Sequence, residues 1–472
     1  MNIAQNALPG VVLTLPELYR RNAPEYSAEL YNGWVKVLKN LFVGDTVYLS
    51  DLVCTIEEYS KAINSLEKHG CNVLIILPLA YSPSGVAVKA LSEKQLPIIL
   101  VSTSRDHTLN YDIGGKDLLA NQAMHGVQDI SNGLWRNNIP HLIMAGHPQR
   151  DNFKEKLSSY INIAYSAFKM RHARIGQLGG FFPQMMDFTF DKELQERKLG
   201  YSIVEITVGT FLGFVQEVTE SEIVQYMHWM KTHFQISPDF TQEELESAAR
   251  YSIAYHKITH QYQLDGMGMN FQDVIREGGN NLPFIGIDRS MQDGIGYAGE
   301  GDVQTAALMS ALLEICPDTS FVEMFCPDYT RNEILLSHMG ESNIRLANTD
   351  HVVKVKPRVF AWGKCSRLAV PVFQLRPGLA TLVSLTEEPS SHDFRVISSI
   401  VNVLDAPEHF NLENPHSRIR IDVPLEDFIE TYSDAGGPHH LCLLFGDWRQ
   451  EIRLFAKALG LNHIVVPTGV DA

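Results

Sequence analysis

Residues able to bind a cation or move a proton gather in a few short stretches of this chain. The first is Gly296-Tyr-Ala-Gly-Glu-Gly-Asp302, where Glu300 stands between two glycines just ahead of a helical pattern. Small neighbours let a carboxylate approach a ligand closely, and glycines permit unusual backbone angles. The same segment also reads as a plain helix start, with Asp302 as cap and Glu300 as a favourable charge near the helix dipole. The second is Thr319-Ser-Phe-Val-Glu-Met-Phe325, in which Glu323 interrupts an apolar, strand-like run. Strict alternation puts Phe321, Glu323 and Phe325 on one face. If that face is buried, a carboxylate there is costly unless paired or metal-bound; if it faces out, Glu323 is simply solvated.

His338 ends the apolar run Glu-Ile-Leu-Leu-Ser-His-Met, and His439 and His440 follow Ala-Gly-Gly-Pro. A lone histidine on an apolar strand is more often a hydrogen-bonded core residue than a ligand. Two carboxylates and two imidazoles together, however, make a mixed oxygen and nitrogen set. Such a set suits Mn²⁺, Co²⁺ or Mg²⁺ better than a thiolate-seeking metal.

Alternating short β-rich runs and amphipathic helical patterns must position these residues. Over the first ~170 residues the runs near 11, 46, 72, 97 and 141 read as strands of a parallel sheet covered by helices. Val-Leu-Ile-Ile-Leu-Pro-Leu is apolar throughout, as a strand buried on both faces should be. Lys-Asp-Leu-Leu-Ala-Asn-Gln through Leu-Trp135 reads as one helical stretch. No GxGxxG follows the first strand and no GxxxxGK[ST] occurs in this half, so a nucleotide site has no support. A second segment, 173–318, opens on a strand-like Arg-Ile-Gly-Gln-Leu and continues through two strong helical patterns. From 319 the texture turns β-rich, with one last helix near 447–460 and a terminal strand. The resulting division is 1–172, 173–318 and 319–472.

Composition narrows the class. A chain of 472 residues is too long for one compact core and calls for two or three domains. Its net charge of −16 argues against a nucleic-acid backbone or an anionic membrane as the main partner. The N-terminal stretch lacks a basic region followed by an apolar one, so no signal peptide is expected. No apolar run reaches the ~18 residues of a membrane span. Six scattered cysteines without a CxxC are expected to be reduced thiols of a cytoplasmic protein.

The order and spacing of Gly-Tyr-Ala-Gly-Glu-Gly-Asp, Thr-Ser-Phe-x-Glu, Leu-x-Ser-His-Met and Ala-Gly-Gly-x-His-His resemble the L-arabinose isomerase family. Looser matches are Ser-Pro near 82, Asn-Gln-x-x-His-Gly at 121–126, Leu-Gly-Gly-Phe-Phe-Pro-Gln-Met near 178 and Phe-x-Asp at 271–273. The resemblance spans nearly the whole chain and is strong in the last 180 residues or so. It implies two Rossmann-like α/β domains, N-terminal and central, followed by a C-terminal antiparallel β-domain. It implies Glu300, Glu323, His338 and His440 as metal ligands, with Mn²⁺ as the ion and Co²⁺ or Mg²⁺ as alternatives. Glu300 and Glu323 would also be the catalytic pair of an ene-diol isomerisation, with a metal-assisted hydride shift as the other route. His439, Met185 and Phe271 would bind substrate, as would His125, reaching into a neighbouring subunit of a homo-oligomer, trimer-based or hexameric.

Two departures touch the sugar-recognising shell. Leu-Pro-Glu-Leu-Tyr (15–19) stands where the family has Gly-Ser-Gln-His-Leu-Tyr, and Met324-Phe325 stands where it commonly has Asp-Tyr. Pro16 cannot reproduce an amide's hydrogen bonds, and Phe325 lacks a hydroxyl. The expected conversion is L-arabinose to L-ribulose, or D-galactose to D-tagatose. Alternatives are an isomerase of L-fucose or D-arabinose, a catalytically silent sugar-binding homologue, and a hydrolase or lyase with the same ligands.

Overall fold

The computed structural model describes residues 3–189, 191–360, 363–388, 393–407 and 411–469. Contacts divide the chain into two compact units, Met1–Phe168 with Arg453–Leu461 and Lys169–Ile452 with Asn462–Ala472.

In the first unit, β1 (Pro9–Thr14), β2 (Tyr48–Val53), β3 (Val73–Pro78), β4 (Ile98–Ser102) and β5 (Leu142–Ala145) form a parallel sheet of order β2-β1-β3-β4-β5. Every residue of β1 and of β3 is buried, the outcome expected of apolar runs covered on both faces. Val12, Leu74, Ile76 and Leu100 of the sheet pack with Ile63 and Ile130 of the covering helices. The helix Ile56–Lys68 starts on a reciprocal cap between Thr55 and Glu58.

The stretch read as one helix before Trp135 is two, Gly115–Ala120 and Ala123–Arg136. Asn121 lies at the break, its side chain accepting from the Asp106 backbone N–H and donating to the Asp106 carboxylate. These tertiary bonds compete successfully with helix continuation.

The second unit contains β6 (Arg174–Leu178), β7 (Ser202–Ile206), β8 (Gln235–Ile236), β9 (Gly266–Met269) and β10 (Gly296–Gly299). Further on are β11 (Thr319–Asp328), β12 (Glu333–Ser337), β13 (Lys354–Arg358), β14 (Leu368–Val372), β15 (Gly378–Glu388) and β16 (Asp393–Val403). The last strands are β17 (His416–Arg420), β18 (His440–Phe445) and β19 (Asn462–Val465). A parallel sheet of order β10-β9-β6-β7 precedes a larger sheet of order β15-β18-β11-β12-β17-β16-β19. Pairing of β15 with β16 closes the larger sheet into a barrel-like form.

That sheet is antiparallel except for β16–β19, which runs parallel. β13 and β14 lie outside it, in a small sheet where β13 pairs in parallel with β8. The C-terminal β-rich segment is therefore neither wholly antiparallel nor self-contained. It also holds a helix, Leu425–Asp434, and a strand, β18, that the sequence reading did not pick out.

Candidate metal centre

Glu300, His338 and His440, all buried, offer one ligand atom each within 4.8 Å of one another. Two sheets bring them together. Glu300 follows the last residue of β10, at the carboxyl edge of the parallel sheet, where ligands of open α/β sheets commonly bind. His338 follows the end of β12, and His440 begins β18. Between those strands runs β11, with Glu323 opposite Ser337 on one side and His440 on the other. Strand register thus gathers at one end of the sheet residues more than a hundred positions apart in the chain.

The backbone at Glu300 is unusual. Its φ is 62° and that of Gly301 is 82°, so two consecutive residues take the left-handed conformation before the helix Val303–Ile315 begins. A non-glycine residue held there costs free energy, and such strain collects at functional sites. The backbone carbonyl of Glu300 accepts from Phe182 N–H at 2.9 Å. Gly299 meets a different need: a Cβ there would lie 2.6 Å from Cε1 of His338. Only a glycine leaves room for the ring.

Both imidazoles of the triad are oriented by buried carboxylates. His440 Nδ1 lies 2.9 Å from Asp302 Oδ2, and His338 Nδ1 lies 2.8 Å from Glu341 Oε2. Since an ionised carboxylate can only accept, each Nδ1 carries hydrogen and each neutral ring presents Nε2 with a free lone pair. Asp302 does more than the capping the sequence suggested. Its Oδ1 caps the following helix through Thr305 N–H, while its Oδ2 holds His440. Glu341 also accepts from the Tyr297 hydroxyl at 2.8 Å. Phe188 stacks on His440 with ring centroids 5.0 Å apart, and Phe321 meets both His338 and His440 edge-on.

The inward-facing atoms have no hydrogen-bond partners. Glu300 Oε2 and His440 Nε2 are both buried and unbonded, 3.5 Å apart. Burial works against ionisation of Glu300, but His439, His440 and His338 outweigh it and hold the carboxyl well below its ordinary range. Glu323 shows the opposite: burial is the largest influence and raises its pKa despite the same histidines. Burial also opposes protonation of His440, yet Asp302 and Glu300 prevail and raise it. Two lone-pair nitrogens and a committed carboxylate with unbonded atoms facing one another fit a divalent cation. A mixed O/N set is what such an ion requires.

The remaining sequence candidates fall in several places. Glu323 lies beside the triad rather than within it, its Oε2 3.9 Å from His338 Nε2. Phe321 is buried but Phe325 is 43% exposed, because a register irregularity between Met324 and Cys326 ends the strict alternation. His439 Nε2 lies 3.6 Å from Glu300 Oε2. Burial disfavours its charged form, but the hydrogen bond to Asp187 and the nearby Glu300 carboxylate raise its pKa to about 10. Phe271 is buried at the first turn of the helix Phe271–Arg276, against Phe182 and Phe360. Met185 is half-buried in the loop after β6, just before Asp187. His125 belongs to the first unit, where it is exposed and stacked on Tyr81. In that unit Pro16 is buried at the head of the helix Glu17–Asn22, and Glu17 is exposed.

Sequence reasoning missed Glu341 and Asp187, and saw Asp302 only as a cap. A signal existed for Glu341, a carboxylate three residues beyond His338. None marked Asp187, whose partner His439 is 252 residues away.

Fold and donor set together define an α/β protein with a site compatible with a divalent metal ion. Residues 189–317 match the L-arabinose isomerase central domain and residues 318–462 its C-terminal domain. The chain is 25% identical over 466 residues to the L-arabinose isomerase of Geobacillus kaustophilus, covering 94% of this chain and 90% of that one. It is 26% identical to that of Geobacillus stearothermophilus, over 88% of this chain and 85% of the relative. For the Anoxybacillus flavithermus enzyme the figures are 26%, 92% and 89%. The chain belongs to the L-arabinose isomerase family.

Proposed function

We propose that this protein is a divalent-metal-dependent aldose–ketose isomerase converting L-arabinose to L-ribulose, with D-galactose to D-tagatose as a second conversion. One observation carries the metal dependence: the buried Glu300, His338 and His440 present unbonded atoms to a common centre while Asp302 and Glu341 hold the outer nitrogens. Glu300, His338 and His440 would hold the ion, with Glu323 alongside as a fourth ligand. Manganese is the favoured ion, with cobalt and magnesium as alternatives. When bound, the ion would polarise the carbonyl and adjacent hydroxyl of the open-chain sugar.

The two glutamates divide the proton work of an ene-diol route. Glu300 stays ionised among its histidines, whereas burial makes Glu323 a weaker acid than usual. Paired carboxyls pushed in opposite directions suit one base and one acid acting on neighbouring carbons. His439, cationic between Asp187 and Glu300, donates to a substrate oxygen. Phe271 and Met185 line the sugar's apolar edge. We assign His125 to a neighbouring subunit's site in a homo-oligomer of trimeric origin.

The two parallel sheets are read as Rossmann-like, supported by the order β2-β1-β3-β4-β5 and the placement of Glu300 at a carboxyl edge. A three-part division at about 172 and 318 draws support from the break between the two family domains after 317. Six free cysteines suit a reducing, cytoplasmic setting. Among the described residues no helix is long and apolar enough to cross a membrane.

The test is ketose formation from a panel of aldopentoses and aldohexoses, with Mn²⁺ and with EDTA. Manganese-dependent turnover of L-arabinose is the expected result. Turnover of L-fucose or D-arabinose instead would keep the class and assign the changes at Pro16, Glu17 and Phe325 to specificity. Tight metal binding without any turnover would leave a sugar-binding homologue.

A further inference from the structure

Three histidines at the metal centre each rest on a carboxylate, and the third pair differs from the other two. His338–Glu341 and His440–Asp302 are enclosed, and both of their histidines belong to the triad. His439 and Asp187 keep 33% and 37% of their side chains exposed. Among the described residues this pair adds no ligand atom to the triad.

Asp187 holds His439 twice through one oxygen. Its Oδ2 accepts from the His439 backbone N–H at 3.0 Å and from the ring Nδ1. A carboxylate bonded to both the backbone and the ring of one residue fixes that ring's two rotatable angles together. The opposite nitrogen, Nε2, then faces Glu300, 3.6 Å from Oε2. Phe188 and His440 flank the ring with centroids 5.6 and 4.3 Å away, contacts that crowd it without choosing where its nitrogens point.

The segment that carries Asp187 is itself seated on the centre. Gly180 N–H donates to Asp273 Oδ2 at 3.0 Å and Phe182 N–H to the Glu300 carbonyl at 2.9 Å. Phe188, 1% exposed, lies flat on His440 with ring planes 4° apart. Asp187 thus has a fixed place although it meets water. An ion pair this exposed adds little to stability, so stability alone does not account for it. What the pair does supply is direction, to the one histidine of the three that substrate can reach.

We propose that Asp187 is a positioning residue for sugar recognition, locking the His439 ring so that Nε2 meets a substrate oxygen beside the metal centre. The inference rests on the isomerase reading above and extends it from His439 to a carboxylate 252 residues away. A donor aimed in advance spares the sugar the work of ordering it.

A double-mutant cycle separates this role from a structural one. Asp187→Ala should lower kcat/KM for L-arabinose about 100-fold, while Mn²⁺ affinity by calorimetry stays within about threefold. His439→Ala should lose about as much, and the double variant no more than His439→Ala alone. Asp187→Asn keeps an accepting oxygen and should recover most of the loss. Losses that multiply in the double variant would overturn the proposal, as would an unaffected Asp187→Ala. Manganese affinity lost in step with turnover would also overturn it, by making Asp187 a support of the ligands.

L-Arabitol, which cannot be isomerised, frees the test from turnover. Its dissociation constant, measured with and without Mn²⁺, should rise about tenfold in Asp187→Ala, with no further rise in the double variant. An unaltered protein that shows this binding pattern but converts no aldose would remove the isomerase reading and uphold the role of Asp187. Turnover of L-arabinose with L-arabitol binding unchanged by Asp187→Ala would uphold that reading and overturn the role.

Discussion

Replacing Asp302 by asparagine separates two jobs of one side chain. Asp302 is fully buried; Oδ1 accepts from Thr305 N–H at 2.9 Å and Oδ2 holds His440 Nδ1 at 2.9 Å. In Asp302→Asn the helix cap can persist through the remaining side-chain oxygen, but the amide nitrogen then faces Nδ1 as a donor. To accept, His440 must move its hydrogen to Nε2, the atom that faces Glu300, and a protonated Nε2 cannot bind a metal. If the amide turns instead, the cap loses its acceptor, at about 1 kcal/mol. Loss of a carboxylate partner to a ligating histidine typically weakens metal affinity 10–100-fold. That corresponds to about 1.4–2.7 kcal/mol. Mn²⁺ titration by calorimetry should show this loss, while the metal-free variant melts close to the unaltered protein. Asp302→Ala should show the same loss of affinity together with the cap penalty. Manganese affinity of Asp302→Asn within threefold of the original would refute the orienting role of Asp302.

Glu300→Gln should abolish turnover with the fold intact, and near-normal activity in a coupled ketose assay would remove Glu300 from the mechanism. Gly299→Ala places a methyl against His338 and should cost about 1–3 kcal/mol of stability as well as metal affinity, read by denaturant unfolding and Mn²⁺ titration. Arg367 holds the Glu244 carboxyl down to about 2, and a depressed folded value stabilises above the unfolded one. That contribution should therefore be complete above about pH 4.5 and vanish as pH falls toward about 2. The difference in Tm between the original and Arg367→Met should shrink across that window; a constant difference would contradict the pairing. A strictly monomeric protein in light scattering would exclude the role given to His125.

The sequence by itself determined local elements. Apolar runs such as Val73–Pro78 needed only their own composition to declare a buried strand. It also determined which side chains could serve as ligands. Where the local signal was short or ambiguous, it failed. His440–Phe445 is a strand of only six residues that starts at the second residue of a histidine pair, and Leu425–Asp434 is a helix whose apolar spacing was masked by β-rich surroundings.

Whether Glu323 pointed inward, whether Asp302 was more than a cap and which carboxylate would hold His338 could not be read from spacing. Those answers depended on pairing β11 between β12 and β18, and on setting that sheet against the tip of β10. Pairing of this kind joins residues far apart in sequence, and its register follows from how both sheets bury their apolar faces. Spacing along the chain can nominate the ligands. Only tertiary structure removes their inward atoms from water, supplies the buried carboxylates behind them and leaves Glu300 Oε2 and His440 Nε2 without partners.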